Sequence, residues 1–162
     1  SHGTMDQVVL FEWAKQTPDY LKSKGYDVVL YSRENDGYMG NNHPVGIRKF
    51  ESDGTIESVI NDMATCEFFV GLGSGLSWLS WSIGLPTVLI SGFSQEYSET
   101  ITNTYRVINK SVCHGCFHKY PFNSGDWLWC PVYRNDEARR FICTKAITPE
   151  SVMEQIEKFY NI

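Results

Sequence analysis

Hydrophobic runs alternate with amphipathic segments along most of this chain, and the alternation predicts strands interspersed with helices. Short apolar runs predict strands at residues 26–32, 47–50, 67–71, 87–91 and 105–109. Apolar residues at helical spacing predict helices at 8–24, 55–65 and 148–161, and a tryptophan-rich helix follows the run at 67–71. Such alternation indicates an α/β fold, in which a parallel sheet carries helices on both of its faces.

Residues that favour helix ends support these boundaries. Gly25 suits the end of the first helix, because glycine readily adopts the left-handed conformation found there. Thr55 is a predicted N-cap, since its hydroxyl can accept a hydrogen bond from a free N–H of the first turn. Thr148 is expected to cap the last helix in the same way, with Pro149 at the first helical position.

One segment, residues 111–145, interrupts the alternation. It carries four of the five cysteines and few core-like runs. We therefore interpret it as an insertion that is held together by something other than a hydrophobic core. Residues 5–162 are predicted to form a single domain that includes this insertion, and residues 1–4 resemble a cloning scar.

The composition of the chain indicates a globular protein and argues against a nucleic-acid-binding or membrane-spanning one. With 162 residues, 42% of them hydrophobic and 20% charged, the chain suits one soluble globular domain. The net charge of −5 argues against nucleic acid as the main partner, because binding to a phosphate backbone needs clustered Lys and Arg. Its apolar runs are shorter than the roughly 20 residues that span a bilayer. No export-signal pattern follows Met5, so we expect a cytoplasmic protein without a membrane span.

The cysteine spacing predicts a metal site. Cys113 and Cys116 form a C-x2-C pair, and Cys130 and Cys143 follow after gaps of thirteen and twelve residues. A C-x2-C turn places two thiolates on one side of a tight loop, and two further thiolates complete a closed tetrahedral site. Because a closed site has no open position for a substrate, we assign it a structural role. Two disulfides are the alternative, although the cytosol keeps thiols reduced.

Sequence spacing leaves the identity of the metal open. Tetrahedral sulfur sites select zinc or iron, and the spacing does not distinguish the two. His114 and His118 are close enough in sequence to replace a cysteine or to support one. Cys66 lies apart from the other cysteines and is predicted to be a small buried hydrophobic residue.

A glycine-rich loop, Gly-Leu-Gly-Ser-Gly, joins the strand at 67–71 to the tryptophan-rich helix. Backbone N–H groups at the start of a helix lack internal partners, and the helix dipole favours an anion there. Gly73 and Gly75 would let the backbone approach a phosphate closely. The hydroxyls of Ser74 and Ser77 could then donate hydrogen bonds to it. The loop matches neither the dinucleotide fingerprint nor the Walker motif, so a simple tight turn is the alternative.

Two other pairs of side chains near this loop are candidates for packing or binding. Trp78 and Trp81 are three residues apart and share a helix face, which predicts that they pack in the core against the sheet. Glu96 and Glu99 follow the strand at 87–91, where a carboxylate could reach a ribose hydroxyl.

The glycine loop and the cysteines together resemble the carboxyl-terminal half of the bacterial autotransporter heptosyltransferases. The resemblance covers residues 26–160 approximately and is carried by GLGSGLSWLSWSIGLPTVLISGFSQE, NKSVCHGCFHKYPF, DWLWCP and FICTKAITPESV. It implies a GT-B fold of two Rossmann-like domains, and the transfer of heptose from ADP-heptose to serine hydroxyls of autotransporter adhesins in the cytoplasm. It also implies a finger that binds iron, with zinc as the alternative, and it is compatible with a homo-oligomer. The implied metal ligands are Cys113, Cys116, Cys130 and Cys143.

Within this resemblance, the glycine loop corresponds to an Asp-Thr-Gly-Leu-Ser-His pattern that meets the diphosphate of the sugar nucleotide. The implied substrate-binding residues are Gly73, Ser74, Gly75, Leu76 and Ser77. The last three of these match the pattern, and Ser74 replaces one hydroxyl by another. Gly73 and Trp78 depart from it, so an acidic and an imidazole contact with the donor are both missing.

The resemblance implies only part of an enzyme. A GT-B enzyme acts in the cleft between two domains, for which 162 residues are too few. The catalytic base is expected in the amino-terminal half, with the acceptor site. We therefore expect an excised donor-binding domain that has no catalytic residue of its own and little transferase activity in isolation. The adenine is expected near Ser32 and Arg33, in the loop after the first strand.

A second class of function is a non-catalytic interaction module, in which the metal finger would bind a partner. Such a module needs an exposed aromatic patch around the finger. The candidates for this patch are Phe117, Tyr120, Trp127 and Trp129. Tryptophans beside a metal site more often form its hydrophobic surroundings.

Overall fold

The computed structural model of the protein describes residues 16–33, 35–37, 42–126 and 128–160. The strands are β1 (Val29–Leu30), β2 (Arg48–Lys49), β3 (Phe69–Leu72), β4 (Thr87–Ile90) and β5 (Thr104–Val107). The helices are α1 (described over 16–23), α2 (Ile56–Met63), α3 (Gly75–Ser82), α4 (Ile142–Lys145) and α5 (Pro149–Tyr160). The scar predicted at 1–4, the first part of the helix predicted at 8–24 and the candidate Trp127 lie outside the described residues. None of the described helices is long and apolar enough to cross a membrane.

The strands pair in parallel, in two sets. β4 lies between β3 and β5, and its Val88 is opposite Val70 on one side and Tyr105 on the other. β1 and β2 form a separate parallel pair, with Val29 opposite Arg48. Parallel neighbours need a crossover connection, and α3 lies in the connection between β3 and β4. The α/β fold predicted from the alternation is therefore confirmed.

Helices pack on both faces of the β3–β5 sheet. Side chains alternate between the two faces of a strand, and all four residues of β4 are buried. Val88 packs in the core cluster with Val152 and Ile156 of α5, and all three have an exposed fraction of 0%. On the other face, the hydroxyl of Ser80 in α3 lies 3.0 Å from that of Thr87. Full burial of a Val or Ile side chain contributes about 1.5–3 kcal/mol, so these contacts stabilise the docking of the last helix.

The predicted helix ends are present in the structure. The Thr55 hydroxyl accepts a hydrogen bond from the N–H of Ser58 at 3.2 Å, directly before α2. Before α5, the Thr148 hydroxyl accepts one from the N–H of Ser151 at 3.2 Å. Gly25 follows α1 with a φ of 94°, in the left-handed region. The two capping hydroxyls each satisfy a backbone donor that has no partner inside its helix.

The first strand is much shorter than the prediction at 26–32. Only the two residues of β1 pair, because β2 is itself only two residues long. Side chains then tie this pair to α2, since Asp62 accepts a hydrogen bond from the Tyr31 hydroxyl at 2.5 Å and forms an ion pair with Arg48 at 3.1 Å. The Tyr31 hydroxyl, followed by the Arg48 guanidinium, holds the pKa of Asp62 below its usual value.

Candidate functional site

A wide groove lies between the β1–β2 pair and β3. Its lining includes residues just beyond the carboxyl ends of three strands: Arg33 after β1, Glu51 after β2, and Ser74 with Gly75 after β3. We refer to it as the strand-end groove. Ligands of open α/β sheets bind in the crevice outside the carboxyl ends of the strands, so this groove is the candidate ligand site.

Serine hydrogen bonds hold the loop that leads from β3 into α3. The Ser77 hydroxyl donates to the Ser74 carbonyl at 2.8 Å and accepts from the Ser74 N–H at 2.9 Å. Ser77 itself is buried, with an exposed fraction of 3%. Because its only hydroxyl proton is used inside the loop, Ser77 holds the loop in shape in this arrangement, and its contact with a phosphate stays a prediction.

The start of α3 presents backbone N–H groups to the groove. A hydrogen bond from the Trp78 N–H to the Ser74 carbonyl, at 3.2 Å, opens the helix. The N–H groups of Gly75 and Leu76 precede it, where a helix has no internal acceptor for them. A Cβ at Gly75 would meet no atom within 4 Å, so the glycine leaves the approach to these groups open. This arrangement is suited to bind an anion.

Gly73 lies against the carboxylate of Glu99. A Cβ at Gly73 would be 1.5 Å from Glu99 Oε1, so a side chain at residue 73 would displace this carboxylate. Glu99 forms an ion pair with Arg106 of β5 at 2.7 Å, and their side chains are 11% and 12% exposed. Glu96, the other carboxylate proposed from the sequence, is exposed. The acid that the resembled pattern carries at residue 73 is absent, but an acid from a distant segment occupies the adjoining space.

Arg106 is the residue of this site that the sequence analysis missed. Besides Glu99, it donates to the Ser91 hydroxyl at 3.0 Å and to the Thr100 carbonyl at 2.9 Å. Its signal in the sequence is a charge inside the apolar run at 105–109. In a sheet that is covered on both faces, such a charge needs a buried partner.

The two tryptophans of α3 do not pack as predicted. Trp78 is 47% exposed and lines the strand-end groove. The Trp81 indole donates to the Thr102 carbonyl at 2.9 Å. The buried residues of α3 are Ser77 and Ser80, whose small side chains let the helix approach the sheet closely. The prediction that both tryptophans pack in the core is therefore wrong for Trp78.

The cysteines of the 111–145 segment share one neighbourhood. Cys116, Cys130 and Cys143 are buried, and none of the five cysteines of the chain forms a disulfide. Burial first, and then the charges of the other three clustered thiolates, together raise the pKa of Cys143 to about 11, although the contact with the Thr144 hydroxyl lowers it in part. In the described ranges, no three His, Cys, Asp or Glu side chains are arranged to hold a metal ion. The four thiols fit a metal in their chemistry, and the four-ligand assignment stays a prediction.

The two histidines of this segment have other contacts. His114 Nδ1 lies 2.8 Å from the Val112 carbonyl oxygen. The His118 ring stacks on Tyr97 with a centroid distance of 6.2 Å. The contact of His114 engages only one of its ring nitrogens, so a supporting role for this histidine beside the cysteines stays a prediction.

An aromatic cluster packs the cysteine segment against the residues that follow β4. Phe93, Phe117, Phe122 and Trp129 meet ring to ring, with centroid distances of 5.0–6.3 Å. The segment therefore has a small hydrophobic core, which the sequence analysis did not predict. Trp129 is buried and Phe117 half-buried, so the candidate patch for a partner is reduced, among its described members, to Tyr120, which is 39% exposed.

Residues just past β4 hold both ends of the cysteine segment. The Gly92 carbonyl accepts a hydrogen bond from the N–H of Gly115 at 3.0 Å, and the Phe93 carbonyl accepts one from Phe117 at 2.8 Å. A Cβ at Gly92 would lie 2.9 Å from the carbonyl carbon and oxygen of Cys143. Glycine is therefore needed at residue 92 for α4 to approach the end of β4.

We expect Gly92→Ala to lower the free energy of unfolding by about 1–3 kcal/mol, because the added methyl group must push the backbone of Cys143 away. Urea denaturation followed by circular dichroism would measure the loss. Gly125→Ala is the matched control, since its Cβ would lie 3.4 Å from Asn123 Oδ1 in an exposed turn. Equal stability of the two variants would contradict the role assigned to Gly92.

Known proteins are similar in sequence to most of this chain. The chain is 40% identical over 146 residues to the autotransporter heptosyltransferase BAHTCr of Citrobacter rodentium, a match that covers 87% of this chain and 35% of the relative. It is 38% identical over 154 residues to the autotransporter heptosyltransferase Aah of Escherichia coli, covering 92% of this chain and 39% of the relative. No family model matches the chain.

A solved structure shows the same fold. The bacterial iron-containing dodecameric glycosyltransferase TibC from enterotoxigenic Escherichia coli matches with a TM-score of 0.78 and 38% identity, over 91% of this chain and 40% of that chain. TibC in complex with ADP-D-β-D-heptose matches with a TM-score of 0.77 and 37% identity, over 90% of this chain and 40% of that chain. The resemblance drawn from the glycine loop and the cysteines is thus confirmed. The chain spans about 35–40% of the length of these relatives.

Proposed function

We propose that this chain, which is homologous to one part of the autotransporter heptosyltransferases, is the donor-binding domain of such an enzyme. It would bind ADP-heptose as the carboxyl-terminal half of a GT-B fold. The observation that carries the proposal is the loop from β3 to α3, which presents the N–H groups of Gly75 and Leu76 beyond the carboxyl end of a parallel strand. The likeness to TibC in complex with ADP-D-β-D-heptose supports a sugar nucleotide as the ligand.

The start of α3 would bind the diphosphate of this donor. A helix dipole places about half a positive charge at its N-terminus, and free N–H groups there donate hydrogen bonds to phosphate oxygens. Ser74 lies beside these groups, and Ser77 holds the loop in shape. Ser32 and Arg33 line the same groove on the β1 side, and they remain the proposed neighbours of the adenine.

The transfer reaction is assigned to the whole enzyme. There, the heptosyl group would pass from ADP to a serine hydroxyl of an autotransporter adhesin, with a catalytic base supplied by the other half. This chain would bind and orient the donor, and alone it would have no significant transferase activity. A cytoplasmic location and a homo-oligomer are part of the same proposal, the latter supported by the dodecameric TibC.

The four clustered cysteines would hold one structural metal ion, iron in preference to zinc. These ligands are Cys113, Cys116, Cys130 and Cys143, three of which are buried. The iron-containing TibC supports iron. A bound ion would cross-link the segment, since the free energy of binding contributes to folding. Residues 92–93 would hold this segment against the sheet, through their hydrogen bonds to Gly115 and Phe117.

Calorimetric titration of the purified chain with ADP-heptose tests the donor proposal. We expect saturable binding of ADP-heptose and weaker binding of ADP, which lacks the sugar contacts. GDP-mannose is the control, because it offers the same diphosphate with a different base and sugar. Absence of saturable binding of both adenine nucleotides would overturn the proposal and would favour the interaction module.

A further inference from the structure

A carboxylate is built into the fold beside the glycine loop. Every hydrogen bond that the described residues make to the Glu99 side chain goes to Oε2, from the Ser94 hydroxyl at 3.2 Å and from Arg106 at 2.7 Å. These bonds fix the orientation of the carboxylate and leave the lone pairs of Oε1 directed toward the loop. Because a Cβ at Gly73 would lie only 1.5 Å from Oε1, the glycine at residue 73 is what allows this orientation.

Oε1 of Glu99 lies within a limited distance of the N-terminal end of α3, where an anion is proposed to bind. Standard bond lengths place Oε1 within about 3 Å of the Gly73 Cα, and within about 9 Å of the Gly75 N–H. A sugar ring attached to a phosphate that is bound at Gly75 spans a distance of this order. Ser74 and Gly75 line the strand-end groove, whereas Gly73 and Glu99 do not, so a hydroxyl of the ligand would reach Oε1 past the edge of the groove, over a distance of this order.

Charge explains why the acid is paired with arginine. An unpaired carboxylate next to a diphosphate would repel it, and the repulsion is strong where the side chains are only 11–12% exposed. Arg106 neutralises Glu99 through Oε2, so the pair can lie beside phosphates without a net charge. Oε1 keeps its capacity to accept a hydrogen bond, and a bond from a hydroxyl to a carboxylate is stronger than one between neutral groups.

We propose that Glu99 is a specificity-determining residue that accepts a hydrogen bond from a sugar hydroxyl of the donor, with Arg106 as its positioning residue. The inference rests on the proposed function, and it adds a residue that the glycine-loop pattern does not contain. The hydroxyl belongs either to the heptose or to the ribose of the nucleotide. Both have the same chemistry, and the experiment below distinguishes them.

The test compares Glu99→Gln with the unsubstituted chain, using three ligands: pyrophosphate, ADP and ADP-heptose. Glutamine keeps an acceptor for Arg106 but removes the charge. We expect the affinity for ADP-heptose to fall about tenfold, as for the loss of a hydrogen bond to a charged group. Pyrophosphate has no sugar hydroxyl, so its affinity should not fall, and the unpaired positive charge left on Arg106 should favour its binding. An unchanged affinity for ADP would assign the hydroxyl to heptose, and an equal loss for ADP would assign it to ribose.

Two further variants separate ligand contact from a merely structural role. Glu96→Gln makes the same change at an exposed site in the same turn, and it should leave all three affinities unchanged. Gly73→Ala displaces the carboxylate without removing it. Gly73→Ala should lower the affinity for ADP-heptose in the native background. In the Glu99→Gln background it should lower this affinity little further, because both substitutions remove the same interaction.

Three outcomes would overturn the inference. If Glu99→Gln leaves ADP-heptose affinity unchanged while the unsubstituted chain binds it, only this inference fails. An equal loss of pyrophosphate affinity would show that Glu99 supports the loop and does not contact a sugar. If the unsubstituted chain binds none of the three ligands, the proposed function fails together with the inference.

Discussion

Replacement of Cys130 by serine is expected to remove the metal from the purified protein, with the content falling from about one ion per chain to below about a tenth. Cys130 is buried, with an exposed fraction of 8%, so no solvent ligand can easily take its place. The serine hydroxyl is not ionised at neutral pH and is a harder donor than a thiolate. A four-sulfur site that loses one ligand in this way loses most of its affinity for iron or zinc.

Elemental analysis and a thiol count on the same sample would measure this effect. Cys66→Ser is the matched control, because Cys66 lies 3.8 Å from the Tyr31 hydroxyl, in the part of the fold that joins β1 to α2. It should leave the metal content unchanged. Stoichiometric metal in Cys130→Ser would contradict the four-thiolate assignment, and an equal loss in both variants would point to a general effect on folding.

Loss of the metal is expected to loosen residues 111–145 and to spare the sheet. As far as the structure describes them, residues 111–145 contribute nothing to the buried core cluster that joins β4 to α5, and Ile147 of that cluster lies just beyond them. Limited proteolysis with and without a chelator would show cleavage confined to the segment. The aromatic cluster around Trp129 should preserve part of its packing, because these rings contact Phe93 and one another independently of the cysteines.

Local signals account for what the sequence predicted well. The strands β3, β4 and β5 and the helix α5 follow from apolar runs and apolar periodicity along the chain, whereas the short helix α4 was not predicted. The caps at Thr55 and Thr148 depend on a hydroxyl and an N–H three residues apart. Such features are decided by neighbours along the chain, so no knowledge of the tertiary fold is needed to recognise them.

Contacts between distant segments account for what the sequence did not reveal. Gly73, Glu99 and Arg106 come together only because β3 and β5 flank β4, and no periodicity connects these positions. Comparison with the Asp-Thr-Gly-Leu-Ser-His pattern registered Gly73 as the loss of an acid. In the structure, the absence of a side chain at Gly73 is what makes room for the carboxylate of Glu99.

The two tryptophans of α3 show that residue spacing alone does not predict which face of a helix packs against the sheet. Spacing correctly placed Trp78 and Trp81 on neighbouring positions of one helix, and their rings meet edge to face at 6.1 Å. Spacing cannot say which face a helix turns to the sheet when apolar residues surround it. The close contact of Ser80 with Thr87 decides the orientation of α3, and it leaves Trp78 in the groove.

Gly73 and Gly75 of the glycine loop differ in the space around them, and this difference leads to a prediction for Gly75. Gly73 is confined by Glu99, whereas Gly75 has open space where its side chain would be. Gly75 also has an ordinary backbone conformation, since it is not among the glycines with positive φ. Valine at residue 75 should therefore be accepted by the fold, and replacement of glycine reduces the freedom of the unfolded chain.

We expect Gly75→Val to weaken the binding of ADP-heptose by at least about tenfold while the melting temperature stays within a few degrees of the native value. The isopropyl group would stand in front of the N–H groups of Gly75 and Leu76, so a phosphate could no longer approach them. Calorimetry and thermal denaturation on the same preparation measure both quantities. Gly125→Val makes the same change in an exposed turn of the cysteine segment, where we expect native affinity. Unchanged affinity in Gly75→Val would mean that the loop is only a turn, and the donor would then have to be bound elsewhere in the strand-end groove.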